Sequence, residues 1–147
     1  MYKVIAVMPC YKSSKKAPYV AQDVINYVDK LVCVDDCCPE NTGKSIENFL
    51  KSDQLDFIYH DRNQGIGGAM KSGIQHALKF NPEIIIKIDS DGQMNPNLIP
   101  KLLEPILNGS SEFTKGNRFK DLSFILSFFS AFSEMSQKVT LYPFFKK

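Results

Sequence analysis

Asp89 and Asp91 stand one residue apart in Lys-Ile-Asp-Ser-Asp-Gly-Gln, residues 87–93, where an isoleucine-rich run from Ile84 to Ile88 ends. Two carboxylates at that spacing offer hard oxygen ligands of the kind Mg²⁺ or Mn²⁺ prefers. Such an ion would most naturally be shared with a substrate's phosphates. The plainer alternative is a pair of acids that ends a strand and begins a turn at Asp91-Gly92. Further polar clusters recur along the chain. Pro9-Cys10-Tyr11-Lys12 brings an aromatic ring that could lie against a base. Asp35-Asp36 could accept hydrogen bonds from a base N–H or from ribose hydroxyls. Gly65, Gly67 and Gly68 form a glycine-rich turn, and Gly116-Asn117-Arg118-Phe119 carries an arginine able to grip phosphate in two-pronged fashion.

The elements between these clusters decide whether they meet. Val4–Met8 reads as a first strand stopped by Pro9, Leu31–Val34 as a second, Leu55–Tyr59 as a third and Glu83–Ile88 as a fourth. Residues 18–29 carry Val20, Val24, Ile25 and Val28 at helical spacing. Thr42 is placed to cap a helix reaching about Leu50. A third helix follows the glycine turn, with Met70, Ile74, Ala77 and Leu78 on one side. Pro96 opens a fourth, whose limits Pro100 and Pro105 blur. Strands alternating with helices imply right-handed crossovers, a mainly parallel sheet and an α/β fold. Each polar cluster follows a strand, so a parallel sheet gathers them along one edge, where open α/β sheets hold ligands.

The glycine turn fails as a P-loop because Met70, not glycine, precedes Lys71-Ser72. It fails as a dinucleotide fingerprint because its sixth position is again Met70 and the first strand has no glycine turn. What remains is close backbone approach at a helix start, where free N–H groups favour negative charge. His60 and His76 lack metal-ligand spacing, and His76 reads as structural.

With 147 residues the chain has room for one domain. A net charge of +2 gives no ground for nucleic-acid binding, and the Lys12, Lys15, Lys16 cluster reads as a solvated loop. Cysteines 10, 33, 37 and 38 show no zinc spacing, and the start lacks the apolar core and cleavage site of a signal peptide, so reduced thiols in a cytoplasmic protein are the economical reading. No stretch approaches the roughly 20 apolar residues of a membrane span. The nearest, Leu122–Phe132, is interrupted by serines.

Taken in order, these clusters resemble the family 2 glycosyltransferases of GT-A fold, in particular the polyprenyl-phosphate (dolichol-phosphate mannose synthase-like) branch. Pro9-Cys10-Tyr11-Lys12 is similar to that family's Pro-x-Tyr-Asn opening, with lysine for asparagine. Val34-Asp35-Asp36 matches its Val-Asp-Asp, with Cys37-Cys38 for the usual Gly-Ser. Asn63, Gly65, Gly67, Gly68, Ala69 and Gly73 match its glycine region. Asp89-Ser90-Asp91-Gly92-Gln93 matches Asp-x-Asp-x-Gln, and residues 116–119 resemble Gly-Ser-Arg-Tyr.

The resemblance implies a Rossmann-like three-layer sandwich over residues 1–119 that binds a UDP- or GDP-sugar. Pro9, Tyr11, Asp35, Asp36, Gly67 and Arg118 would contact the donor. Asp89, Asp91 and Gln93 would hold Mg²⁺ or Mn²⁺, with Asp89 and Asp91 as the catalytic pair. It further implies inverting transfer to a polyprenyl phosphate or glycan acceptor, at the cytoplasmic face of the membrane. Residues 120–147 depart from the family's usual continuation. They read as a divergent tail, helical near 121–136, in a chain that keeps the donor half and lacks much of the acceptor half. The phenylalanines of this tail suggest a protein partner or self-association.

Overall fold

The computed structural model describes residues 3–116 and the backbone of 141–143. Strand β1 (Val4–Cys10) leads to helix α1 (Ala17–Val24), then β2 (Lys30–Asp35), α2 (Thr42–Phe49), β3 (Leu55–Tyr59), α3 (Gly65–Ala77), β4 (Ile84–Lys87) and α4 (Ile99–Leu107). The sheet order is β3-β2-β1-β4, all parallel. It is extended by β5 (Leu141–Pro143), which runs antiparallel to β4. Residues 117–140 and 144–147, including Arg118 and the helix expected at 121–136, lie outside the described residues.

Alternation along the strands builds a core on each face of the sheet. Ala6, Met8, Leu31, Cys33 and Ile86 pack towards α1 and α2, together with Ile46, Ile99 and Leu103. Ile5, Val7, Val32, Val34 and Ile85 pack against Ala69 and Ala77 of α3. Three layers result, as expected. Each fully buried aliphatic side chain contributes on the order of 1.5–3 kcal/mol.

Three local expectations need correction. Pro9 does not stop β1, which continues to Cys10 with Pro9 in register beside Val34. Pairing with β4 ends at Val7 and Lys87, so the missing N–H of Pro9 costs no ladder bond there. Helix α1 ends at Val24, although Val28 is buried; the core continues past the helix while the chain turns to enter β2. Thr42 is the first residue of α2, and Asn41, in the left-handed region, is the cap position without a side-chain cap bond. The Gly43 N–H is taken by a carboxylate from the neighbouring strand instead, that of Asp35.

Gly73 lets α3 lie directly on the sheet. A Cβ there would stand 2.3 Å from Val7 Cγ1 and 2.9 Å from Val34 Cγ2. Gly73→Ala is therefore expected to cost about 1–3 kcal/mol of stability. A Cβ at Gly67, in the same helix, meets nothing within 4 Å, so Gly67→Ala should be neutral or stabilising by up to about 1 kcal/mol. Urea denaturation of the two variants checks the contrast.

Candidate active site

The carboxyl ends of β1, β2 and β4 and the start of α3 enclose a cleft of about 540 Å³. That volume is typical of small-ligand sites. One wall is Pro9, Cys10 and Tyr11 after β1, with Asp36 after β2. The opposite side is Lys87, Asp89, Ser90 and Asp91, and the α3 end supplies Asn63, Gly65, Ile66 and Ala69. Asp89, Asp91, Pro9, Tyr11 and Asp36 thus share one cavity.

Each of these residues is held for a definable reason. Ser90, between the two acids, is buried and turned the other way. Its hydroxyl donates to the Pro9 carbonyl at 2.9 Å and bonds the Ser13 hydroxyl at 2.7 Å. This staples the acidic turn to the end of β1 and leaves Asp89 and Asp91 facing the cleft. Asp91 accepts from the Gln93 N–H at 2.9 Å, and Gly92 takes φ +75°, the left-handed conformation the turn requires. Asp89 is ion-paired with Lys87, both largely buried. Tyr11 is exposed, with Lys12 Nζ 5.4 Å from its ring centroid.

The adjacent acids part company. Asp35 accepts from the Cys38 N–H and the Gly43 N–H, each at 2.7 Å, on the α2 side of the sheet and away from the cleft lining. Asp36 points to the α3 side. Its Oδ1 lies 2.6 Å from His60 Nδ1 and 2.9 Å from the Gln64 N–H. Gln93 lines a neighbouring groove with Lys16 and Tyr19 instead of the cleft. Gly67 sits in the first turn of α3, one residue beyond the lining residues Gly65 and Ile66.

The sequence reading gave no role to Lys87, which lines the cleft, or to His60, which holds Asp36 from outside the lining. Lys87 is the lone charge in an isoleucine run, which marks it as a residue with a buried partner. His60 immediately follows β3, at the ligand edge. His76, as expected, is structural, joining α3 to β3 through Asp56 Oδ2 at 2.8 Å.

The thiols near the cleft differ in acidity. A hydrogen bond with Cys33, together with burial, holds the Cys10 thiol well above its ordinary pKa, so it offers no thiolate to the cleft at neutral pH. Burial pushes Cys38 up, but hydrogen bonds from the Thr42 hydroxyl and the Lys12 N–H outweigh this and leave it lowered.

The family model described as glycosyl transferase family 2 matches residues 5–133. The chain belongs to that family. It is 29% identical over 132 residues to the UDP-N-acetylglucosamine–dolichyl-phosphate N-acetylglucosaminyltransferase of Methanococcus voltae, covering 80% of this chain and 53% of that protein. The chain therefore spans about half the length of this relative.

Among solved structures, mannosyl-3-phosphoglycerate synthase from Rubrobacter xylanophilus superposes with TM-score 0.70 at 16% identity, covering 97% of this chain and 53% of that one. A mannosyltransferase from Pyrobaculum calidifontis, in complex with GDP-Man and Mn²⁺, gives 0.67 at 16%, covering 85% and 38%. These likenesses establish the GT-A fold.

A divalent cation is the cofactor this family implies, and the donor set fits one. Asp89 and Asp91 supply hard anionic oxygens, and among the described residues no group of three or more His, Cys, Asp or Glu is arranged to hold a metal. Carboxylate oxygens are the ligand type that Mg²⁺ or Mn²⁺ takes, and in this structure Asp89 is partnered by the Lys87 ammonium. Among the described residues no helix is long and apolar enough to cross a membrane.

Proposed function

We propose that this family 2 glycosyltransferase chain binds a UDP- or GDP-sugar in the cleft and transfers the sugar, with inversion, to a polyprenyl phosphate. The observation that carries this reading is the shared cavity of Asp36 and Tyr11 on one side and Asp89 and Asp91 on the other. That separation suits a base at one end and a diphosphate at the other. Pro9 and Tyr11 would flank the base, and Asp36 would accept its ring N–H. Gly67, near the free N–H groups at the start of α3, and Arg118 would meet the phosphates.

Asp89 and Asp91 would hold Mg²⁺ or Mn²⁺, and Gln93 of the same motif is the third candidate ligand. When bound, that ion supplies Lewis-acid neutralisation of the charge on the departing diphosphate. In the transfer, a phosphate oxygen of the acceptor attacks the anomeric carbon. The bond from that carbon to the diphosphate oxygen breaks, and its electron pair leaves with the nucleoside diphosphate. The attacking oxygen is already anionic, so the step requires no general base. A lipid-linked acceptor places the work at a membrane surface, on the cytoplasmic side. Residues 1–119 would form the donor-binding unit; from residues 120–147, β5 joins its sheet beside β4, and the remainder would be open to a partner.

A second reading keeps the donor site alone: a module that binds the nucleotide-sugar without transferring the sugar. Calorimetric titration with UDP and GDP, with and without Mn²⁺, tests the common core of both. Metal-dependent binding of one nucleotide is the expected result, and a folded sample that binds neither would overturn both readings. Assay of sugar transfer to a polyprenyl phosphate in detergent then separates them.

A further inference from the structure

Asp36 is the cleft carboxylate whose orientation the fold controls most tightly, and the control comes from a residue outside the cleft lining. His60 follows β3, and its N–H donates to the Asp35 carbonyl at 2.9 Å, which anchors its backbone to the sheet edge. Its ring bridges two elements, with Nδ1 at 2.6 Å from Asp36 Oδ1 and Nε2 at 2.9 Å from the Ser72 hydroxyl on α3. The His60 and Asp36 side chains are 6% and 5% exposed. The Gln64 N–H adds a second donor to the same Oδ1 at 2.9 Å.

An ionised carboxylate only accepts, so the His60 nitrogen facing it carries the proton. Ser72, whose hydroxyl both donates and accepts, satisfies the far nitrogen. With Oδ1 engaged twice, Oδ2 has no protein donor among the described residues, and it belongs to a side chain on the cleft wall.

We infer that His60 is a positioning residue for nucleotide selection, holding Asp36 so that Oδ2 is presented to a ring N–H of the donor's base. The ligand class is a nucleoside diphosphate whose base offers an N–H beside a carbonyl, as N3 of uracil or N1 of guanine does. This rests on the donor-site reading above. Without His60 the carboxylate can turn about its terminal bond. The base then meets an acceptor it must first orient, and discrimination is lost before folding is.

The test exploits the two ring nitrogens. In His60→Asn the side-chain amide takes the place of Nδ1 and can still donate to Asp36. In His60→Gln it takes the place of Nε2 and reaches towards Ser72 instead. Both variants are polar and neutral, so a purely structural role predicts similar behaviour. Binding of UDP against 3-methyl-UDP, or GDP against 1-methyl-GDP, is measured with Mn²⁺ for each protein, using whichever pair the wild type accepts.

The expected result is near wild-type preference for the unmethylated nucleotide in His60→Asn. His60→Gln should lose roughly tenfold or more of it, the scale of one hydrogen bond to a charged group. In an Asp36→Asn background, His60→Gln should add no further loss. Equal preference in the two His60 variants, with nucleotide still bound, overturns the inference alone. Absence of nucleotide binding by folded wild type overturns it together with the donor-site reading.

Discussion

Asp91→Asn is expected to lower Mn²⁺-dependent affinity for the nucleoside diphosphate by about 100-fold or more, with little change in the unfolding midpoint. Even residues that only orient a metal's ligands cost about 10–100-fold when replaced, so loss of a charged ligand should reach or exceed that range. The substitution is chosen to spare the turn. Asp91 accepts the Gln93 N–H, and an asparagine oxygen can accept the same bond. Asn-Gly is also at least as good a turn dipeptide as Asp-Gly. What changes is the charge facing the cation and, through it, the diphosphate.

Titration with and without EDTA isolates the effect, because the metal-independent part of binding should survive. Wild-type affinity in the presence of Mn²⁺ would show that the cation is held elsewhere. Asp89→Asn is a less clean experiment, since it also releases the Lys87 ammonium into the cleft.

Much of the site was legible because strand alternation extends past the strand ends. Val32 and Val34 pack towards α3, and Asp36 follows them in phase; Leu31 and Cys33 pack towards α1 and α2, and Asp35 follows those. Counting by twos from the core would have assigned the two acids to opposite faces. The same count sets Lys87, Asp89 and Asp91 apart from Ser90.

What the pattern could not show was where alternation breaks. Gly92 at φ +75° redirects the chain, so Gln93 belongs to the neighbouring groove although its motif position places it beside the acids. Pro9 read as a strand stop because proline usually ends pairing, whereas here the neighbouring strand ends first. His60 gave only its position as a signal. Its two partners come from β2's end and from the middle of α3, a meeting that tertiary structure alone creates.

The sharpest test of this division is one substitution made at two adjacent positions. Asp35→Asn is expected to destabilise the fold by about 2–5 kcal/mol, a large share of the roughly 5–15 kcal/mol that holds a domain together. Both Asp35 oxygens accept buried backbone N–H groups, so an amide must turn its NH₂ towards one of those donors. There is no room to turn away. A Cβ placed at Gly43 would lie 3.0 Å from both Asp35 Cβ and Asp35 Oδ2, a measure of how closely this carboxylate is enclosed.

Asp36→Asn should behave in the opposite way. The asparagine oxygen can accept from His60 and Gln64 as before, which leaves the NH₂ group facing the cleft. Stability should fall little. Nucleotide affinity should drop by roughly tenfold or more, because a donor would then oppose the ring N–H that Asp36 is proposed to accept. Denaturant titration and calorimetry on the two variants give a crossed result if β2 divides its acids between fold and ligand. Parallel losses in both measurements would mean that the two acids share one role.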